Sequence, residues 1–291
     1  MNQATLILSP EKAHDMEQKF RVVKRSIDAR QRALKVNLTV LTDEFGRPLQ
    51  KDAPIPLYTA PHFKDVHNAK HSVAIIGAGP AGLFAALTLL EQGIKPIIFE
   101  RGKEVSERKK DIATLNRNQG LNTESNYCFG EGGAGTFSDG KLYSRSKKRG
   151  NMQRVMELFH HFGASDTVLY EAHAHIGSDK LPSIIRAMRE CIIQHGGEIH
   201  FNSCVDAVLL RELMRDKKSL LGTILAIGHS AHDTYQMLLD EGVLLENKGF
   251  AMGVRAEHPQ TLINRLMYHD PSEELIRLIG NASYSLVTQV Q

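Results

Sequence analysis

The feature that most constrains the fold is a glycine-rich turn between a short apolar strand and a helix. The strand is predicted over residues 72–76 and the helix over residues 81–92, with Gly93 placed where a helix ends. Between them lies Gly77-Ala78-Gly79-Pro80-Ala81-Gly82. A GxGxxG pattern in this context is typical of a dinucleotide-binding βαβ unit. The sequence therefore predicts an α/β fold with a Rossmann-like domain built on a parallel sheet.

Each position of this turn has a physical role. Gly77 permits the tight turn out of the strand, and Gly79 has no side chain, so a pyrophosphate can approach the backbone. Gly82 and Ala86 allow close packing of helix on sheet, while Pro80 lacks an N–H that would be unpaired at a helix start anyway. The remaining N–H groups and the helix dipole then face an anion. The alternative is a glycine-rich turn without a ligand.

An acidic residue follows the second strand of this unit. Glu100 comes directly after the strand predicted over residues 96–99 and stands 23 positions beyond Gly77. A carboxylate at this place suits the hydroxyls of an adenosine ribose. It should repel a 2′-phosphate, although the neighbouring Arg101 weakens that argument.

The rest of the chain alternates strands and helices. A helix is predicted near residues 181–195, a strand near 198–210, an apolar strand-like segment at 223–227 and a helix near 234–241, which favours a parallel sheet. Residues 1–42 form a small N-terminal α/β domain, with an apolar run at 5–8, a helix at 11–20 and an alternating strand at 35–41. The basic segment 21–32 is interpreted as solvated surface, with an anion-binding face as the alternative. Residues 43–70 are a proline-rich linker, and 71–291 form the cofactor-binding domain.

A second glycine-rich segment favours FAD over NAD. Residues 130–140 contain five glycines in eleven positions, so their backbone can lie against a flat or anionic ligand. A simple NAD dehydrogenase does not need such a loop, whereas a flavin enzyme can use it along the ribityl chain and isoalloxazine. The alternative is a flexible surface loop.

These motifs resemble the family of uncharacterised bacterial FAD-dependent dehydrogenases, which are NAD(P)/FAD-dependent oxidoreductases of the Rossmann type. The resemblance runs along nearly the whole chain and rests on the segments 24–30, 77–82, 100–102, 129–141, 175–181, 225–234 and 249–259. The long glycine loop and the segment Ala226-Ile227-Gly228-His229-Ser230 are its specific parts.

The resemblance implies FAD as the cofactor and a set of cofactor-binding residues. The adenosine half is expected on the 77–82 turn, Glu100 and Arg101. Val205 is expected to contact adenine through its backbone, and Ala226 and Gly228 to pass near the nucleotide. A position near the cofactor is also expected for His229, with a helix-capping role as the alternative. The residues expected near the flavin are Gly130, Gly132, Gly133, Ala134, Gly135 and Thr136.

The chain departs from the family pattern in three ways, the first being an N-terminal domain abbreviated between Ala13 and Phe20. Only residues 211–222 stand where related proteins carry a longer β-meander. The sequence also lacks the Gly-Asp dipeptide of a late segment that holds the ribityl and pyrophosphate. We therefore expect the FAD-binding domain to be incomplete at the C-terminus.

Composition excludes several other classes. Net charge is +3, from 36 Lys and Arg against 33 Asp and Glu, which predicts neither nucleic-acid nor membrane binding. No apolar run reaches the roughly 18 residues of a membrane span. The three cysteines form no framework, and the N-terminus does not read as a signal peptide, so a cytoplasmic location is expected.

Cysteine and histidine pairs give weaker hypotheses. Cys128 could lie near the flavin, but a buried inert thiol is preferred. His173 and His175 could share a strand face and bind a metal, yet no third ligand is evident, so no metal site is predicted. No redox cysteine pair follows the Rossmann unit, which excludes a disulfide reductase.

The function predicted from sequence is that of an FAD-dependent oxidoreductase of unknown substrate, with redox chemistry at the flavin. No catalytic residue can be named. Its partners are a small-molecule substrate or electron donor, with NAD(P)H as a candidate. The alternatives are a non-catalytic flavin- or nucleotide-binding fragment, and an NAD-binding protein that uses the same turn.

Overall fold

The computed structural model describes residues 2–53, 58–138, 140–142, 150–172, 174–177, 179–216, 220–247, 249 and 256–284. The chain divides into two compact units. The first, here called the antiparallel unit, comprises residues 1–57, 169–174 and 248–291. The second, here called the Rossmann unit, comprises residues 58–168 and 175–247.

The antiparallel unit contains a three-stranded sheet and three helices among its described residues. Strand β3 is central and pairs antiparallel with both β1 and β2. Val36, Leu38 and Val40 of β3 are wholly buried, as expected for alternating apolar residues on one face. The elements are β1 (Asn2–Leu8), α1 (Pro10–Lys19), β2 (Val22–Asp28), β3 (Lys35–Thr42), α8 (Gln260–Tyr268) and α9 (Glu273–Ile279).

Strand β2 was not expected, because its segment reads as a basic surface. Arg25 in β2 is largely buried, and its guanidinium pairs with the carboxylates of Glu17 and Glu171 at 2.6 and 3.5 Å. Arg30, beyond the strand, pairs with Asp28. Carboxylates thus pair with two of the five basic side chains of the segment, and the burial of Arg25 departs from the expected solvated surface.

The last described helices belong to the antiparallel unit. Tyr268 of α8 and Ile279 of α9 share a buried cluster with Leu34 and Val36. The sequence grouped these residues with the cofactor-binding domain, so the observed division differs from the expected boundaries. Apolar contact between distant segments decides this placement, and no local pattern reports it.

The Rossmann unit is built on a four-stranded parallel sheet of order β8-β5-β4-β9. Its α/β class and parallel sheet confirm the predicted fold. The elements are β4 (Ser72–Ile76), α2 (Pro80–Gln92), β5 (Lys95–Phe99), α3 (Val105–Asn116), β6 (Lys141–Leu142), α4 (Met152–His161), α5 (Leu181–Gln194), β8 (Glu198–His200), α6 (Ala207–Arg215), β9 (Leu220–Leu225) and α7 (His232–Asp240). The 3-10 helix Asp166–Leu169 and β7 (Ala174–His175) each contain residues of both units.

Strand β4 and helix α2 form the centre of this unit. All five residues of β4 are buried, as in a central strand covered on both faces. Helix α2 starts with Pro80 at its first position and ends at Gly93, which has left-handed backbone angles and caps the last turn. The predicted strand, turn and helix are therefore confirmed.

The predicted strand over residues 198–210 is wrong beyond His200. Strand β8 covers only Glu198–His200, and α6 begins at Ala207. Asp206 caps this helix, since its carboxylate accepts a hydrogen bond from the amide of Leu209 at 2.8 Å. The short apolar stretch 207–210 fits a strand or a helix, and the N-cap at Asp206 decides for the helix.

Two further segments match their expectations. Strand β9 (Leu220–Leu225) overlaps the apolar segment predicted at 223–227 in its last three residues. Helix α7 (His232–Asp240) corresponds to the helix predicted near 234–241. Within the described part of the chain, none of the helices combines the length and the apolar character that a bilayer crossing requires.

Candidate functional site

The turn between β4 and α2 is shaped by the absence of side chains. Gly77 has φ +107°, and a Cβ placed on it would lie 2.4 Å from the carbonyl oxygen of Ala226. A Cβ on Gly82 would lie 1.9 Å from the carbonyl oxygen of Gly77. Since real Cβ atoms do not approach backbone atoms so closely, only glycine fits these two positions.

The first turn of α2 presents unused hydrogen-bond donors. Among the described residues, the amides of Gly79, Ala81 and Gly82 have no hydrogen-bond partner, and no side chain caps the helix. Pro80 and Ala81 are exposed. A helix N-terminus with open amides carries partial positive charge, so this turn can bind an anion.

The second glycine segment packs directly on this turn. The amide of Gly132 donates to the carbonyl of Ala78 at 2.8 Å. A Cβ on Gly133 would lie 2.9 Å from Cδ of Pro80. Ala134 and Gly135 are exposed, and their amides have no partner in the part of the chain that the structure describes. The predicted loop therefore adds further open amides beside the helix start.

Glu100 ties the two glycine segments together. Its buried carboxylate accepts hydrogen bonds from the amides of Ala78, Gly102 and Gly130 at 2.7, 2.8 and 3.0 Å. An ionised carboxylate offers about four acceptor positions, so one remains for a ribose hydroxyl. The expected ribose contact stays a prediction, and the three amide contacts are a structural role that the sequence did not indicate.

Arg101 is paired on both sides. Its guanidinium donates two hydrogen bonds to the Asp233 carboxylate at 3.0 and 2.8 Å and one to Glu124 at 2.8 Å. It also lies over the ring of Phe129, 4.2 Å from the centroid. Hydrogen bonding to Asp233 raises the pKa of Arg101 above its usual value. The Arg101 side chain is thus engaged with protein groups and is not presented to a phosphate.

Arg108 of α3 lies behind the glycine loop and is wholly buried. Its donors reach the Thr136 hydroxyl at 3.1 Å and five backbone carbonyls, those of Asn126, Tyr127, Gly130, Glu131 and Gly133. Burial lowers the pKa of Arg108 to about 10, which leaves it protonated at neutral pH. The loop is therefore wrapped around a buried cation.

Glu131 forms a second buried charge at the same loop. One carboxylate oxygen accepts from the Val105 amide at 2.7 Å and from Arg189 at 3.2 Å, while Arg189 also binds Glu104 at 2.5 Å. The other oxygen is buried without a hydrogen-bond partner among the described residues. Burial raises the pKa of Glu131 to about 7, against the opposing effects of Val105 and Arg189.

Comparison with known families supports FAD as the cofactor. Residues 70–125 match the FAD binding domain family, and residues 249–291 match the family described as FAD-dependent protein, C-terminal domain-like. A third match, to a domain of unknown function, covers residues 12–42.

The chain is also similar to two curated proteins. A protein of Clostridium beijerinckii described as uncharacterized is 38% identical over 263 residues, covering 85% of this chain and 49% of the relative. The chain thus spans about half the length of that relative. The dual trans-enoyl reductase/FAD-dependent monooxygenase tazHJ of Aspergillus terreus is 60% identical over 35 residues, covering 12% of this chain and 5% of that protein.

The structure brings many of the predicted cofactor residues together. The turn 77–82, Glu100, the loop 130–136 and Ala226 are linked by the contacts described above. Val205 is buried beside Ile76 and Leu210. Gly228 and His229 are exposed, and helix α7 is preceded by Ala231, so neither helix capping nor cofactor contact is established for His229. All these cofactor assignments stay predictions.

The weaker hypotheses have mixed outcomes. Cys128 is exposed, so the preferred interpretation as a buried thiol is wrong. Burial instead raises the pKa of Cys191 to about 11. His173 and most of the motif 249–255 lie outside the described residues. Within those residues no group of three His, Cys, Asp or Glu side chains could hold a metal ion.

A surface groove elsewhere in the Rossmann unit has a volume of about 610 Å³. Phe63, Phe162, His161 and His195 are among its lining residues, and none of the predicted cofactor residues lines it. The cofactor assignment therefore rests on open backbone amides and close glycine contacts, and not on cavity size.

Sequence reasoning missed Arg108, Arg189 and the structural role of Glu131. One signal was available for Arg108, which shares a helical face with the apolar residues Val105 and Ile112. A charged residue on the buried stripe of a helix indicates an internal partner. The partners are backbone carbonyls of a distant loop, which no spacing rule identifies.

Proposed function

We propose that this chain acts as a flavin-dependent oxidoreductase and that the start of α2, together with the loop 130–136, binds the diphosphate of FAD. The observation that carries the proposal is the group of open amides at Gly79, Ala81 and Gly82. Of these residues Ala81 is exposed, Gly79 is half-buried and Gly82 is buried, and the first turn of the helix carries no acidic side chain. A diphosphate carries the negative charge and the acceptor oxygens that these unpaired N–H groups can bind.

The neighbouring side chains fit the adenosine half of the same ligand. Glu100 has one acceptor position left after its three amide contacts, which suits a ribose hydroxyl. The Arg101 guanidinium donates to Asp233 and Glu124, so it is not placed to bind a 2′-phosphate. This arrangement supports FAD and counts against NADP at this site.

Bound FAD supplies the redox chemistry, while the protein binds and orients it. In this proposal the amides of the α2 turn and of Ala134 and Gly135 hold the diphosphate. The printed name of the Aspergillus relative, an FAD-dependent monooxygenase in part, supports an oxidoreductase class. A small-molecule substrate and NAD(P)H as electron donor belong to the proposal.

The decisive variant is Gly79→Ala. A Cβ at Gly79 has no neighbour closer than 3.8 Å, and the residue has extended backbone angles, so the fold admits alanine. Loss of stability should stay within about 1 kcal/mol, the usual range for an N-cap change. FAD binding should weaken at least about tenfold, because the methyl group occupies the phosphate approach.

Fluorescence titration with FAD and thermal unfolding measure the two effects. Gly222→Ala on β9 is the matched control, since a Cβ there meets nothing within 4 Å. We expect the control to keep wild-type affinity. Wild-type FAD affinity in Gly79→Ala would show that the phosphates bind elsewhere.

A second experiment separates the enzyme from a non-catalytic binding protein. Purified protein reconstituted with FAD is mixed anaerobically with NADH or NADPH, and the flavin absorbance is followed. Loss of that absorbance and its return on reoxidation support an oxidoreductase. Unchanged absorbance with both donors would exclude NAD(P)H as the donor, and release of NAD instead of FAD from native protein would contradict the proposal as a whole.

A further inference from the structure

The way the glycine loop is held has a consequence for its open amides. Arg108 draws the carbonyls of Glu131 and Gly133 toward its guanidinium at 2.7 and 2.8 Å. In a trans peptide the C=O and the following N–H point in opposite directions. The amides of Gly132 and Ala134 must therefore point away from Arg108.

The first of these amides shows where that direction leads. The Gly132 amide donates to the carbonyl of Ala78, in the turn before α2. The carbonyl of Glu131 and the amide of Gly132 thus join Arg108 on one side to the turn on the other. The peptide between Gly133 and Ala134 is oriented in the same way, with its carbonyl bound to Arg108 and its amide pointing away. The amide of Ala134 has no partner in the described part of the chain.

We infer that Arg108 is a positioning residue for cofactor binding, which turns the peptide between Gly133 and Ala134 so that its amide faces the diphosphate of FAD. The inference rests on the proposed function, since it needs the diphosphate at the α2 turn. Arg108 itself is wholly buried and does not touch the ligand.

A lysine at position 108 could not make the same set of hydrogen bonds to the loop. The guanidinium offers five N–H donors in a planar fork, whereas an ammonium offers three from a single atom. Arg108 has acceptors at Nε, Nη1 and Nη2, which lie along different edges of that fork. In Arg108→Lys several loop carbonyls lose their donor, and the peptide planes are then free to rotate.

The test compares Arg108→Lys with Lys109→Met. Lys109 is the neighbouring, exposed cation of α3, and its substitution controls for a change on the same helix. Affinities for FAD, ADP and adenosine are measured well below the unfolding temperature. We expect Arg108→Lys to weaken FAD and ADP at least about tenfold and adenosine less than about twofold, because adenosine lacks the diphosphate.

This selectivity separates positioning from mere stabilisation. A residue that only stabilises the fold would lower the unfolding temperature and leave the three affinities of the folded protein unchanged. Equal affinities for FAD and ADP in Arg108→Lys and wild type would overturn the inference, and so would an equal loss for adenosine.

A second pair of variants covers the case in which Arg108→Lys does not fold. Thr136 accepts from Arg108 at 3.1 Å and lies 2.9 Å from the carbonyl oxygen of Gly133. Thr136→Val should weaken FAD and ADP selectively, by a smaller factor, and Thr136→Ser should restore both. If Thr136→Val binds as wild type does, the inference is wrong.

The result for Gly79→Ala tells a failure of the proposed phosphate site from a failure of the positioning role of Arg108. If that variant keeps FAD, the proposed phosphate site fails, whatever Arg108→Lys does. If it loses FAD while the Arg108 and Thr136 variants keep it, the phosphate site stands and only the positioning role fails.

Discussion

Two glycine-rich segments meet at the candidate site, and they are held in place by different forces. The turn 77–82 lies between a buried strand and a helix, and the carbonyl of Ala226 closes the space beside Gly77. The loop 130–136 has no regular secondary structure and is held by charged side chains from elsewhere in the Rossmann unit. Both segments need glycine for steric reasons, since a Cβ on Gly132 would lie 2.3 Å from the Thr136 hydroxyl oxygen, but the loop also surrounds buried charged side chains.

The charged side chains around the loop act on its backbone. Arg108 binds its carbonyls, Glu100 accepts the Gly130 amide, and the Glu131 side chain reaches the start of α3. Burying a charged side chain costs free energy that hydrogen bonds offset, so the loop and these side chains depend on each other. A glycine-rich segment can therefore serve to let a strand and a helix pack closely, or to place backbone groups around buried charged side chains.

The largest effect should come from adding one methyl group to the turn. In Gly82→Ala the new Cβ would lie 1.9 Å from the Gly77 carbonyl oxygen, so strand and helix must separate. We expect the free energy of unfolding to fall by about 3–5 kcal/mol. Urea denaturation measures it, and a loss below about 1 kcal/mol would show that sterics do not hold the turn.

The next prediction concerns the charged support of the loop. The pKa of Glu131 is raised from 4.5 to about 7 in the folded protein, so the folded state keeps a proton that the unfolded chain loses at lower pH. The contribution of this group to stability therefore falls as pH rises from about 4.5 to about 7, by on the order of 3 kcal/mol.

Glu131→Gln removes this titration. The groups that surround it are the carboxylates of Glu104 and Glu100 and the guanidinium of Arg189, and they remain in the variant. Unfolding by urea at pH 5 and pH 8 should give a stability difference that is smaller in Glu131→Gln than in wild type. Equal differences would mean that Glu131 titrates normally and that the loop does not depend on it.

The smallest effect is expected at the exposed end of the loop. A Cβ on Gly135 meets nothing within 4 Å, and the residue has no left-handed φ. Gly135→Ala should change the free energy of unfolding by no more than about 0.5 kcal/mol. Gly133→Ala, with φ +71° and a contact at 2.9 Å, should cost clearly more in the same assay. Equal costs would remove the distinction between packed and open loop glycines.

Sequence patterns predicted the parts of this fold whose cause is local. The alternation of β3, the apolar strand β4 and the Pro80 start of α2 all follow from neighbouring residues. The same kind of reasoning was wrong for residues 201–210, because the short apolar stretch 207–210 does not by itself separate strand from helix. An aspartate directly before residues 207–210 is a typical N-cap, and Asp206 therefore indicated a helix start in the sequence.

The amino-acid sequence by itself predicted the turn 77–82 and a dinucleotide as its class of ligand, because glycine positions and strand–helix order are short-range properties. Only the tertiary structure decided that Arg108 and Glu131 hold the second glycine loop and that residues 256–284 join the antiparallel unit. Both depend on contacts between segments far apart in the chain, and the free energy of such contacts comes from burial and hydrogen bonding that appear only when the segments meet.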